Sequence, residues 1–272
     1  MVATAAATAA LAALTPVVVH DAQERSPLAS VRAATVAVPG TASAGGGRVA
    51  YGRVVARRDG GAWLQWWLFF ADQDQDRGVT RSGRHEGDWE HVQARIDARG
   101  RLAEVVVSQH SGGERCGARE VRRGRGGRLV VFAAKGAHGL YLRPGTRDRL
   151  WPDPNDEADG RGLVVRPRLE VLGGQAWLRW PGRWGRSRAA WWNPAESDSP
   201  RGPVFQPERW DPEAFARDAR ECQARCSRVD ACDGLEAGLG RGALALLVLL
   251  PGAAALRRRR GRSAPLGRRA PR

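Results

Sequence analysis

The run Ala62–Phe70 (AWLQWWLFF) constrains this chain more than any other stretch. It holds five aromatic side chains and no charge, and its length suits a strand rather than a helix, so it reads as one buried strand. Eleven tryptophans against two tyrosines point the same way, to a tryptophan-rich β core or to a binding surface built of indoles. The chain can house such a strand. Its 272 residues are 42% apolar, which supports a real core and excludes a wholly disordered protein. A charged fraction of 27% excludes a polytopic membrane protein.

Around that run the sequence reads as short β segments between glycine-rich and charged turns. Asp88–Ile96 alternates, Asp97–Gly100 offers a tight turn, and Leu102–Ser108 follows, which together predict a hairpin. Leu129–Ala134 and Leu163–Val171 add two more strands, while Pro39–Gly47, Gly124–Arg128 and Trp151–Gly162 read as loops. The one convincing helix is late, at Asp211–Cys226, with Pro212 in its first turn. This pattern predicts a mainly β fold: a single β-sandwich or jelly-roll-like domain over residues 16–215, a short C-terminal helix, and a cysteine-containing helix end and linker over 216–240.

The ends carry other information. Gly242–Leu256 is fifteen uncharged, mostly apolar residues, followed at once by Arg257–Arg260 and Arg262. A helical span wants about 20 apolar residues, so the stretch is short for one. The segment 241–272 is therefore expected to be an anchor or sorting tail, with the main domain outside the cytoplasm because basic residues prefer the cytoplasmic face. The order of Cys232, short linker, apolar run and arginine cluster resembles the C-terminal sorting tails of myxobacterial surface proteins. A buried core helix with a basic end is the other reading. Val2–Leu14 is apolar and rich in small residues but lacks a basic start, so residues 1–15 read as a weak signal segment or simply as a first helix. Four cysteines, Cys116, Cys222, Cys226 and Cys232, allow three disulfide pairings in an extracytoplasmic setting, and their spacing fits no zinc site.

The formal charge is +15, yet eight arginines of residues 257–272 leave only +7 for the rest. Of the 44 basic residues only Lys135 is a lysine. Nucleic-acid binding would predict a basic stripe with interleaved aromatics in the folded part. None is visible, so nucleic acid is not an expected partner.

Chemistry concentrates at Arg84–Val92 (RHEGDWEHV). On a strand Asp88 and Glu90 share a face with Val92, Ala94 and Ile96, so both carboxylates point toward the core. Bare carboxylates there repel each other and lose hydration unless a cation neutralises them. His85 can supply a third ligand, and Asp72, Asp74 or Asp76 a fourth. One imidazole with several carboxylates suits a hard divalent ion, Mg²⁺, Ca²⁺ or Mn²⁺. The alternative is that arginines of this arginine-rich chain pair with Asp88 and Glu90.

The order of short segments resembles the vacuolar protein sorting-associated protein 62 family and, more distantly, the necrosis-and-ethylene-inducing-peptide-like cytolysins. The matching pieces are Pro16–Glu24 (PVVVHDAQE), Leu64–Phe70, His85–Val92, Ser108–Gly113 (SQHSGG), Lys135–Tyr141 (KGAHGLY), Gly182–Gly185 (GRWG), Ser199–Pro203 and Trp210–Pro212. The resemblance implies a β-sandwich of jelly-roll type. It also implies a divalent metal held by an aspartate, matched best by Asp72, together with His85, Asp88 and Glu90, at a glycolipid-headgroup site. Gly87 stands where the cytolysin core has its second histidine.

Other candidates have weaker readings. His138, between glycines, and His110 are candidates for a general base, against structural roles at turns. His20 with Glu24 reads as a structural histidine, and His91 points away from Glu90. Asn155, Glu157 and Asp159 faintly echo a calcium loop but read better as a solvated acidic turn. Trp184, Trp191 and Trp192 could stack on sugar rings or pack in the core. Three functions follow: a surface-exposed, metal-containing module binding a glycan or lipid headgroup; a metal-assisted hydrolase of an ester or phosphate; or a structural envelope protein with a salt-bridged acidic cluster. No serine-nucleophile, phosphate-loop, dinucleotide or HExxH pattern is present, which favours the first.

Overall fold

The structure, a computed structural model, describes residues 5–31, 44–45, 47–75, 84–110, 112–147, 149, 154–185 and 199–222. The described residues all fall in one compact unit, which ends at Val229. Asp76, Trp191, Trp192, Cys226, Cys232 and the anchor expected at 241–272 lie outside the described residues.

In chain order the elements are α1 (Ala5–Leu14), β1 (Val17–His20), β2 (Ser30–Val31), β3 (Ala44–Gly45), β4 (Val49–Ala56), β5 (Ala62–Asp74), β6 (Arg84–Ile96), β7 (Leu102–Gln109) and β8 (Gly112–Gly117). Then come β9 (Val130–Ala133), β10 (Leu140–Tyr141), β11 (Gly145–Arg147), β12 (Asp156–Ala158), β13 (Val164–Val165), β14 (Arg168–Val171), α2 (Pro207–Trp210), α3 (Pro212–Asp218) and β15 (Arg220–Glu221). One sheet runs β14-β4-β5-β6-β7-β8-β15 and a second runs β10-β9-β1-β13. Their inner faces make the sandwich. Leu64, Trp66, Leu68 and Phe70 of β5, Val92, Ala94 and Ile96 of β6, and Val105 and Val107 of β7 share one core with Val18, Val131, Ala133, Leu140 and Val165 of the smaller sheet.

The aromatic run needs no alternation because β5 is covered on both faces. Behind it, Trp67 and Phe69 pack with Tyr51, Trp89, Leu172, Trp177 and Trp184. Trp63 meets Val106 and Phe215 of α3. The long β5–β6 pairing, from Ala62↔Ile96 to Asp74↔Arg84, fixes which side chains face the smaller sheet.

Several sequence expectations change in detail, and the stretches read as loops at Pro39–Gly47 and Trp151–Gly162 contain β3 and β12. Leu163–Val171 is not one strand. Pro167 has no N–H to offer a ladder, and the run splits into β13, paired with β1, and β14, paired with β4. The late helix is shorter than Asp211–Cys226: α3 ends at Asp218 and the chain straightens into β15, which pairs with β8. Asp211 caps α3, accepting from the N–H groups of Glu213 (2.9 Å) and Ala214 (3.2 Å). At the N-terminus, which reads as a weak signal or as a first helix, residues 5–14 form helix α1. Ala7, Leu11 and Leu14, spaced for one helical face, are buried in the main core, and Trp66 Nε1 donates to the Leu11 carbonyl (3.2 Å). Among the described residues no helix is long and apolar enough to cross a membrane. Of the three cysteine pairings the structure forms Cys116–Cys222, which ties β15 to β8.

Candidate functional site

Asp88 and Glu90 lie on β6 opposite Phe70 and Leu68, on the face turned to the core, and both are buried, as their spacing predicts. The turn Lys135–Gly139 crosses the end of β5 and brings His138 to Asp88. Gly136 allows the approach: it sits at φ +68, an added Cβ would lie 2.7 Å from the Asp74 carbonyl oxygen, and Asp74 N–H donates to the Gly136 carbonyl (2.9 Å). His138, itself at φ +56, is fully buried and stacks on Phe70 with ring centroids 4.1 Å apart. Its Nδ1 donates to Asp88 Oδ2 (3.0 Å), and its Nε2 lies 3.6 Å from Glu24 Oε1.

Glu24 is held in turn by the N–H groups of Gly136 (2.7 Å) and Ser26 (2.6 Å). Burial would strip the proton from His138, but the hydrogen bonds and charges of Asp88 and Glu24 prevail and raise its pKa to about 9. For Glu24, burial is outweighed by the His138 bond and charge and by the two backbone donors, and its pKa falls to about 2. Asp88 is likewise held below the usual carboxylate range: burial opposes this, and His138, His85 and Arg209 overcome it.

Glu90 has different partners. The β6–β7 pairing runs only as far as Val92↔Val107. Beyond it Ser108 Oγ accepts from His91 N–H (2.7 Å) and donates to Glu90 Oε2. Arg209 of α2 bridges the same gap, donating from Nη1 to the Trp89 carbonyl (2.7 Å) and from Nη2 to the His110 carbonyl, with Nη1 3.7 Å from Glu90 Oε2. Burial pushes Glu90 up to about 7, Arg209 offsets part of that, and the Asp88 charge adds to it.

The four expected metal ligands do not gather. Among the described residues, the one set of three ligand atoms within 4.8 Å of one another is Cys116, Glu120 and Cys222, and its two sulfurs form the disulfide. His85 is buried and donates from Nδ1 to the Gly87 carbonyl (2.8 Å). Asp72 faces Glu86 across the ladder. Asp74, its alternative, pairs with Arg84 (2.6 Å). A divalent ion needs several oxygens converging at about 2.0–2.6 Å, and these residues do not present them together; each of Asp88 and Glu90 faces a side-chain cation instead.

Gly87, in place of the cytolysin histidine, has a steric cause. It sits at φ +69, and a Cβ there would fall 1.7 Å from the Trp184 carbonyl oxygen. Gly185 returns the relation, with its would-be Cβ 2.3 Å from the Glu86 carbonyl oxygen. Two backbones cross with no side chain between them, and Trp184 packs in the core rather than offering a sugar platform.

The remaining histidines separate by environment. His138 is sealed from solvent, which removes it as a general base for an outside substrate. His110, at φ +52 and partly exposed, holds Asp156 Oδ2 through Nε2 (2.6 Å), and Tyr141 donates its hydroxyl to the same oxygen. His20 accepts at Nε2 from Leu28 N–H (3.4 Å), and burial with the His138 charge lowers its pKa to about 4, so its role is structural. His91 stacks on Trp67 (4.8 Å) on the other face of the sheet. Sequence reasoning missed Arg209. Nothing marks it among the chain's arginines except its place beside Trp210–Pro212.

An open cleft of about 380 Å³ lies at the other end of the Lys135 turn. Asp21, Gln23, Pro144–Thr146, Glu157–Asp159 and Arg161 line it. Its two loops lock reciprocally: Asp21 accepts from Asp159 N–H (3.0 Å), and Asp159 from the N–H groups of Ala22 (3.0 Å) and Arg161 (2.9 Å). Lys135 Nζ reaches Glu157 (2.6 Å) and Gln23 (3.2 Å) at its edge. The expected acidic turn is thus one wall of a cleft.

Residues 75–149 match the family model described as vacuolar protein sorting-associated protein 62. That stretch includes His85–Val92, Ser108–Gly113 and Lys135–Tyr141, three of the segments that carry the resemblance. No curated protein matches the chain. Similar solved structures include the non-toxic HaNLP3 protein (16% identity, TM-score 0.38, 53% of this chain and 72% of that one). NLPPya in complex with glucosamine is another (16%, 0.36, 51% and 68%). A third is described as a toxin fold for microbial attack and plant defense (16%, 0.37, 63% and 77%).

Proposed function

We propose that this protein is a β-sandwich binding module that takes a neutral or amine-bearing sugar in the cleft beside Asp21, Thr146, Glu157 and Asp159. The observation that carries the reading is the cleft's lining. Carboxylate, amide, hydroxyl and guanidinium groups line the cleft together with Pro144, Gly145 and Ala158, and its volume is within the size range of small-ligand sites. Such groups supply the paired donors and acceptors that vicinal hydroxyls need. Three acids stand against Arg161 and the Lys135 ammonium, which already pairs with Glu157 at the edge. The remaining negative charge disfavours a phosphate, so a glycan suits the cleft better than a phospholipid headgroup. We further propose that the module works outside the cytoplasm, held by the segment 241–272. The Cys116–Cys222 disulfide supports an oxidising compartment.

The test is titration of the purified chain with glucosamine, mannosamine, glucose and mannose, beside vesicles containing phosphatidylinositol. The amino sugars are chosen for their charge and because NLPPya was solved with glucosamine and with mannosamine. Sugars should bind to the wild type, and Glu157→Gln with Thr146→Val should weaken binding about tenfold, some 1.4 kcal/mol, at unchanged melting temperature. Equal binding by the double variant, or vesicle binding alone, would reject the cleft as the site.

A further inference from the structure

We infer that the buried acidic centre is complete without a divalent ion, because the His138 ring and the Arg209 guanidinium already occupy the places beside its carboxylates. The inference is independent of the glycan reading, which concerns the cleft. The His138 ring already lies between Asp88 and Glu24, Nδ1 3.0 Å from Asp88 Oδ2 and Nε2 3.6 Å from Glu24 Oε1, and the second Glu24 oxygen is taken by Gly136 N–H. Glu90 has the Ser108 hydroxyl and the Arg209 guanidinium on Oε2. A divalent ion between these carboxylates would have to displace both side chains or sit against two like charges.

Arg209 is built in rather than adventitious. Its guanidinium is fixed by two main-chain carbonyls, of Trp89 and His110, in the gap where the β6–β7 ladder stops. Its own carbonyl accepts from Gln65 Nε2 (3.2 Å), and the next carbonyl, of Trp210, accepts from Arg53, whose guanidinium lies 3.4 Å over the Trp210 ring. Gln93 Nε2 donates to the Pro212 carbonyl (2.9 Å), and Cys222 is bonded to Cys116. The segment 207–222 is therefore tied to the sheet at both ends, with Arg209 as the group it delivers inward. A charge held this way has surrendered its rotamer freedom on folding, so neutralising Glu90 requires no further ordering.

The experiment uses the full chain, dialysed against chelator and then offered Ca²⁺ or Mn²⁺. Metal is counted by mass spectrometry and stability is read by melting. The wild type should retain no stoichiometric metal, and its melting temperature should be the same with chelator, Ca²⁺ or Mn²⁺. Arg209→Met, which keeps the length and removes the charge, should melt lower and regain part of the loss when either ion is added. Arg209→Lys should remain indifferent to both. About one equivalent of ion in the wild type, or a chelator-induced fall in its melting temperature reversed by the ion, would overturn the inference. If Arg209→Met does not fold, the wild-type measurements decide alone.

Discussion

Gly87 and Gly100 share a left-handed backbone, φ +69 and +75, and differ in what surrounds them. An alanine at 100 would meet nothing within 4 Å, whereas at 87 it would strike the Trp184 carbonyl. Gly100→Ala should therefore cost about 1 kcal/mol, the conformational term alone. Gly87→Ala should exceed it by at least about 2 kcal/mol, since backbone must move. Denaturant melts of the two variants measure the difference, and equal losses would contradict the crossing. At this scale the sequence was partly legible. The two-residue spacing of Asp88 and Glu90, with the apolar parity of Val92, Ala94 and Ile96, sufficed to turn both inward. Their partners were not legible. Glu24 and His138 are far apart in the chain, and Arg209 is one of many arginines, so only the packed sheets bring them together.

At the scale of elements, α1 separates two readings of the N-terminus. Residues 5–14 bury Leu11 and Leu14 and satisfy the Trp66 indole. Their deletion should lower stability by on the order of 4 kcal/mol, from two leucines at about 2 kcal/mol each before the lost hydrogen bond is counted. Thermal melting of the shortened chain checks this, and an unchanged midpoint would return the segment to the role of a dispensable leader. Strands with clear alternation or a dense apolar run, β5 to β7, were readable because local pattern and tertiary role agree. Leu163–Val171 was not. Its composition is that of one strand, and only the two sheets competing for it across Pro167 divide it. Helix α3 was overextended for a similar reason: sequence favours helix beyond Asp218, and the pairing of Arg220 and Glu221 with β8 prevails.

For the whole molecule, the buried charges set a pH optimum. His138 is raised from 6.5 to about 9, so the stability it contributes is complete below the unfolded value and lost as pH climbs through 9. Glu90, raised from 4.5 to about 7, also favours the protonated form when folded, and its contribution fades as pH rises from 4.5 through 7. Glu24 is lowered from 4.5 to about 2, so its contribution is present above 4.5 and lost as pH falls toward 2. His20, lowered from 6.5 to about 4, and His91, lowered by its burial, contribute above 6.5 and lose that contribution as pH falls. Together these groups place maximum stability near pH 6.5, with a decline toward pH 9. Melting temperatures from pH 4 to 9, beside a Glu90→Gln variant, check the assignment. The variant should lack the loss Glu90 causes between 4.5 and 7 and so gain on the wild type as pH rises through that range. A wild-type maximum at or above pH 8 would reject it.

The order β10-β9-β1-β13 also governs when the fold can exist. Strand β1 is made almost first, yet it lies between β9 and β13, whose residues follow it by more than a hundred positions, and Cys116 meets its partner 106 residues later. During synthesis the strands that cover α1 and β1 from the larger sheet come next. Strand β1 has no neighbour in its own sheet, however, until β9 and then Val165 of β13 have emerged, and the clasp at Cys222 closes later still. A chain wired this way folds slowly, through contacts distant in sequence. Until β9 and β13 are made, both edges of β1 are open to pairing with other chains, so that interval is the one in which the early chain is most prone to associate.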